Sequence, residues 1–117
     1  MSESKKMTKL VINALEDKKA IDIRVIDIQE VSVIADYFII ASGANTNQVQ
    51  ALADSVQEAL EKAGYTARQI EGYGSASWIL LDFNDIIIHI FSEESRLFYD
   101  LERIWRDGKD LDPEEFE

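Results

Sequence analysis

Apolar positions along this chain follow two rhythms, and the rhythms alternate. Met7, Leu10, Val11, Ala14 and Leu15 recur at helical spacing and predict one buried helix face. Lys18 and Lys19 follow, and cations suit a helix C-terminus. Residues 23–28 and 37–41 are rich in β-branched and aromatic side chains, which predicts two strands, the second broken by Gly43. Asn45 can cap the next helix, with Gln48 three residues later as a reciprocal capping partner. Val49, Leu52, Ala53, Val56, Leu60 and Ala63 form the stripe of that helix, and Gly64 suits the position just beyond its end. A short strand is expected within residues 66–71. Strand, helix and strand in this order suggest a right-handed parallel crossover.

The densest apolar region comes next, at residues 78–81 and 86–91. Between the two runs lie Asp82, Phe83, Asn84 and Asp85, which include turn-forming residues, so a hairpin is predicted. Ile86, Ile87 and Ile88 are apolar on both parities, as in a central strand covered on both faces. Ser92 then caps a helix with Glu93 and Glu94 in its first turn, where carboxylates favour the positive end of the macrodipole. Leu97, Leu101, Ile104 and Trp105 continue it as a stripe that ends near Gly108. The predicted order is α-β-β-α-β-β-β-α. This is an α/β fold, a mixed sheet of about five strands flanked by helices.

Length and composition narrow the function. A chain of 117 residues allows one domain. Its core is expected within residues 1–106, with a mostly acidic tail over 107–117 that frays. With 12 Lys plus Arg against 23 Asp plus Glu, the net charge is −11. That argues against DNA or RNA gripped mainly through phosphate contacts, and favours a basic partner. The absence of Cys excludes disulfides and thiolate chemistry, and a single His excludes a His-pair metal site. The N-terminal residues lack the apolar core of a signal peptide, and no apolar run approaches bilayer length, so a cytoplasmic protein without membrane contact is expected.

Few residues here suggest chemistry. His89 lies inside the Ile-rich strand, with no serine in a nucleophile-elbow pattern, and reads as a structural, hydrogen-bonded histidine. Gly72-Tyr73-Gly74-Ser75-Ala76-Ser77 looks faintly like a phosphate loop, but it precedes a strand and lacks the P-loop lysine; it reads as a flexible connection. The alternative reading is a metal-dependent nucleotidyltransferase. Gly74-Ser75 with Asp82-x-Asn84 resembles the signature of such enzymes. Two-metal catalysis needs converging carboxylates, yet the second acid is Asn84 here, Asp85 is off parity, and no Lys or Arg occurs over residues 72–91 to hold a triphosphate. No cofactor and no metal are expected.

Trp78 is more informative. If Ile79 and Leu81 face one side of a strand, then Trp78, Leu80 and Asp82 share the other. An indole, an aliphatic neighbour and a carboxylate make a compact binding strip, because Trp buries a large area with few torsions to freeze. The competing reading places Trp78 simply in the core.

These residues also carry a family likeness. Asp36-Tyr37-Phe38-Ile39-Ile40-Ala41-Ser42-Gly43, with Gln48, Val49, Ala53, Asp54 and Val56, resembles the first half of the ribosomal silencing factor (RsfS, or Iojap) family. Glu71-Gly72, then Ser75-Ala76-Ser77-Trp78-Ile79-Leu80-Leu81-Asp82-Phe83 and Asp85-Ile86-Ile87-Ile88-His89-Ile90-Phe91, is similar to its second half. Glu94-Ser95-Arg96, Tyr99-Asp100-Leu101-Glu102 and Trp105 resemble its closing helix. Asn84 departs from the glycine usual in that hairpin, although Asn tolerates positive φ better than most residues.

The resemblance implies a nucleotidyltransferase-like fold without the activity. It implies a protein that binds universal protein fourteen of the large ribosomal subunit, blocks joining with the small subunit, and so represses translation under nutrient limitation. Organelle members are linked to ribosome assembly, and a homodimer is implied for the free form. Combined with the pattern reading, it makes Trp78 the expected anchor and Asp82 the partner of an Arg or Lys. Leu80 adds apolar area, and Tyr73, Ser75 and Ser77 position the loop and donate hydrogen bonds.

Overall fold

The first apolar stripe becomes helix α1 (Glu3–Asp17), which buries Met7, Val11, Ile12, Ala14 and Leu15. This computed structural model describes residues 3–30, 33–98 and 108–116. Strands β1 (Ile21–Asp27) and β2 (Tyr37–Gly43) follow. The second strand runs through Gly43 rather than stopping before it. There the glycine is buried, and a Cβ would lie 3.0 Å from the Val49 side chain, so the helix can start close behind the strand.

Helix α2 (Thr46–Lys62) is capped as its sequence requires. Asn45 Oδ1 accepts the Gln48 N–H at 2.9 Å. The returning bond goes one residue further back than expected, with Gln48 Oε1 accepting the Ala44 N–H at 2.7 Å. At the far end the Tyr65 N–H reaches Leu60 O at 2.9 Å and the Gly64 N–H reaches Glu61 O at 3.0 Å. Gly64 has φ +95°, so this is a Schellman closure.

The short β3 (Gln69–Glu71) leads into β4 (Trp78–Asp82) and β5 (Ile86–Ser92). The last two form the predicted hairpin, with Asp82 opposite Ile87 and Trp78 opposite Phe91. Asn84 takes the turn with φ +70°, as anticipated for Asn at a glycine-like position. Ser92 Oγ accepts the Ser95 N–H at 3.2 Å and starts α3 (Glu93–Phe98). The continuation of that stripe through Leu101, Ile104 and Trp105 lies outside the described residues.

The sheet order is β3-β4-β5-β2-β1-β6. The five expected strands are present in order. The parallel bond of the crossover is made between β2 and β5. Strand β3 runs in the same direction as β2 but lies beyond β4 and β5, because the β4–β5 hairpin inserts between them. The tail corrects one expectation: it does not fray throughout. Residues 109–111 form β6 (Lys109–Leu111), antiparallel to β1, and a short 3-10 turn (Pro113–Phe116) places Phe116 edge-on to Tyr37 at 5.8 Å. Leu111 and Phe116 supply apolar contacts that outweigh the acidic residues between them.

Both faces of the sheet are apolar, for a reason visible in the strands. One parity carries Val25, Ile39, Ala41, Ile79, Leu81, Ile86, Ile88 and Ile90, and these join α1 and α2 in the larger core. The other parity carries Ile26, Phe38, Ile40, Ile87 and Phe91, with Trp78 and Leu80 packed against them. Strand β5 is buried on both sides from Ile86 to Phe91, as its unbroken Ile run requires.

Candidate partner-binding site

Strand β4 sets the geometry. Ile79 and Leu81 are fully buried beneath the helices, while Trp78, Leu80 and Asp82 are half-buried on the opposite face. Side chains two apart on a strand stand about 7 Å from one another, so the three form a short straight row. The alternative in which Trp78 is sealed in the core is not what the fold produces. Its indole stacks on Phe91 at 5.1 Å and 26° and keeps part of its surface in solvent.

The indole N–H is already engaged. It donates to His89 Nδ1 at 3.1 Å. His89 is 4 % exposed and hydrogen-bonded within the sheet. Phe38 meets its ring edge-on at 4.8 Å, and Phe91 lies nearly parallel at 6.4 Å. Desolvation in this aromatic nest lowers its pKa from 6.5 to about 4. The ring is therefore neutral at physiological pH. With Nδ1 accepting, the proton sits on Nε2, which is buried and has no hydrogen-bond partner among the described residues.

Asp82 has a local duty. Its Oδ1 accepts the Asn84 N–H at 2.9 Å and so braces the hairpin turn, and its carbonyl accepts the Arg68 N–H at 2.7 Å. Its other carboxylate oxygen has no partner among the described residues. Among those residues, no three Asp, Glu or His side chains gather where they could hold a metal ion. The described residues do not assemble around Asp82 the donor set that two-metal nucleotidyl transfer requires.

The loop before β4 is folded rather than slack. Gly72 has φ +81°, and the Ala76 N–H closes back on the Gly72 carbonyl at 3.0 Å. Ser75 Oγ donates to that same carbonyl at 3.3 Å, which leaves the hydroxyl free only as an acceptor. Ser77 is exposed, and its carbonyl accepts the Ser92 N–H at 3.1 Å. Tyr73 goes the other way. Its hydroxyl donates to Asp54 Oδ2 at 3.1 Å, and its carbonyl accepts from Gln50 Nε2 at 2.9 Å. The bond to Asp54 raises the phenol's pKa. The fold thus sets Trp78, Leu80 and Asp82 on one face of β4, with Ser77 exposed just before the strand, while Tyr73 is held against α2 on the side that bears the helices. Gln50 was not singled out by sequence, and Asp54 only within the family likeness, because nothing local shows that the 72–77 loop returns to α2.

Comparison with known proteins places this geometry in a family. The family model described as ribosomal silencing factor during starvation matches residues 1–117. The chain belongs to the ribosomal silencing factor family. The ribosomal silencing factor RsfS of Zymomonas mobilis is 43% identical over 106 residues, covering 91% of this chain and 80% of that one. The crystal structure of a protein from Chromobacterium violaceum superposes with a TM-score of 0.87 at 36% identity, covering 95% of this chain and 92% of that one. A more distant relative, the mouse mitochondrial assembly of ribosomal large subunit protein 1, is 29% identical over 99 residues, covering 82% of this chain and 43% of that protein. Both the family and the α/β fold implied by the sequence resemblance are therefore established. Among the described residues, no helix is long and apolar enough to cross a membrane.

Proposed function

We propose that this protein binds the large ribosomal subunit through its basic universal protein fourteen and sterically blocks joining with the small subunit, repressing translation when nutrients are scarce. A part in large-subunit maturation belongs to the same reading, supported by the name of the mouse relative. The free protein is a cytoplasmic homodimer in this account.

One observation carries the proposal: Trp78, Leu80 and Asp82 form a half-buried row on the sheet face opposite α1 and α2. An indole seated on Phe91 offers a rigid apolar patch, which is the property of a binding hot spot. The free oxygen of Asp82 can receive an Arg or Lys, Leu80 widens the apolar contact, and Ser77 and Ser75 offer hydroxyls at the rim. Tyr73 acts indirectly, by holding the loop against α2. No reaction is required, because occupied volume alone excludes the small subunit. The −11 charge favours a basic ribosomal protein and repels the phosphates of small-subunit RNA.

The test is subunit joining with purified subunits and added protein, followed by sedimentation. Fewer joined particles and co-migration with large subunits are expected. Trp78→Ala should cost about 2–4 kcal/mol of binding to the large subunit, as for an aromatic hot spot. A folded Trp78→Ala variant that binds as well as the wild type removes the anchor and this reading with it.

A further inference from the structure

His89 is costly to explain as packing alone. It occupies a central strand, is 4 % exposed, and is walled by Phe38, Phe91 and Trp78. A Phe or Leu there would fill the same nest without a polar atom. Histidine instead leaves Nε2–H buried with no acceptor among the described residues, a desolvation cost with no return from them at that atom. The return lies at the other nitrogen, where Nδ1 accepts the Trp78 indole N–H at 3.1 Å.

We propose that His89 is the positioning residue of the docking site: its Nδ1 fixes the rotamer of Trp78 and occupies the indole N–H, so that the indole meets its partner as a purely apolar plate. This rests on the docking role assigned to Trp78 above.

The geometry supplies the reasons. An indole on a sheet surface has several staggered rotamers, and each that remains open must be frozen on binding. Phe91 restrains it by stacking, which permits sliding; a hydrogen bond is directional and does not. The register makes the bond reachable. Trp78 is opposite Phe91 and Leu80 is opposite His89, so His89 is the diagonal neighbour of Trp78 on one face, within reach of an aromatic side chain. Burial keeps the imidazole neutral, so the Nδ1 lone pair is present at physiological pH. Because an indole has a single N–H, that donor is not available to the ribosome, and the partner surface under Trp78 needs no acceptor.

The experiment compares His89→Phe, His89→Leu and His89→Asn in the full chain. Phe and Leu remove the acceptor, whereas the Asn side-chain oxygen falls near the position of Nδ1. Thermal melts establish folding, ¹⁵N-resolved indole N–H signals and their exchange report the bond, and titration with large ribosomal subunits reports binding. For the Phe or Leu variant, faster indole exchange and about a tenfold weaker binding are expected, the size of one lost neutral hydrogen bond. Asn should restore both in part, and in a Trp78→Phe background the His89 substitutions should change binding no further. Unchanged indole exchange overturns the inference. So does a binding loss that persists in the Trp78→Phe background, which would mark a structural effect unrelated to the indole. If Trp78→Ala itself binds normally, the docking reading fails, whatever the indole signals show. If Trp78→Ala weakens binding and the folded Phe and Leu variants do not, only the positioning role fails.

Discussion

Gly72 holds the first residue of β4 in place by having no side chain. Its φ is +81°, and a Cβ there would lie 2.1 Å from the Trp78 carbonyl oxygen. Gly72→Ala should destabilise the protein by about 1–3 kcal/mol, from the left-handed conformation and the clash together. Denaturant titration measures it, and a neutral result would show that the loop can move aside. His89 makes a second residue-level prediction, about pH. Unfolded, its ring takes a proton near 6.5; folded, only near 4, because burial disfavours the charge. Between those values the unfolded state binds more protons. The contribution of His89 is therefore intact above about pH 6.5, declines as pH falls, and is gone below about pH 4, a change of about 3 kcal/mol. Stability measured from pH 7 to 4 should fall less steeply in His89→Phe than in the wild type. The buried, hydrogen-bonded state of His89 was legible in the sequence from its Ile-rich setting. Its bond to Trp78 was not, since that depends on the register of two strands and not on either one.

Helix α2 shows how far local chemistry reaches. Asn45, the buried stripe and Gly64 define its start, face and end, and each does so in the fold. Asn45→Ala should cost about 1 kcal/mol, as for a lost N-cap, with the sheet intact. Thermal melts test it, and a cost near zero would mean that Gln48 alone organises the turn. Gln48 does bind more than its own helix. Its Nε2 donates to Lys19 O at 3.2 Å, tying α2 to the turn after α1. Such long-range ties, like the insertion of the hairpin between β2 and β3, leave no trace in local periodicity. Strand β6 was missed for a related reason. Three residues in an acidic stretch have no detectable alternation, and only the open edge of β1 makes them a strand.

At the scale of the molecule, charge and shape act together. In the proposed complex, a net charge of −11 would speed encounter with a basic partner but be screened by salt, whereas the Trp78 row would hold the complex once formed. Raising ionic strength should therefore slow association with large subunits and leave dissociation nearly unchanged. Asp82→Asn should make affinity less salt-dependent, which titrations at two ionic strengths would show; an unaltered slope would remove Asp82 from the interface. The order of the strands has a practical corollary. Strand β4, which carries the indole, and strand β6 lie toward opposite borders of the six-stranded sheet. A dye or affinity handle joined after Phe116 would leave the molecule beside Tyr37, on the sheet face opposite the proposed Trp78 docking row. A reporter attached there can follow docking in real time without standing in its way.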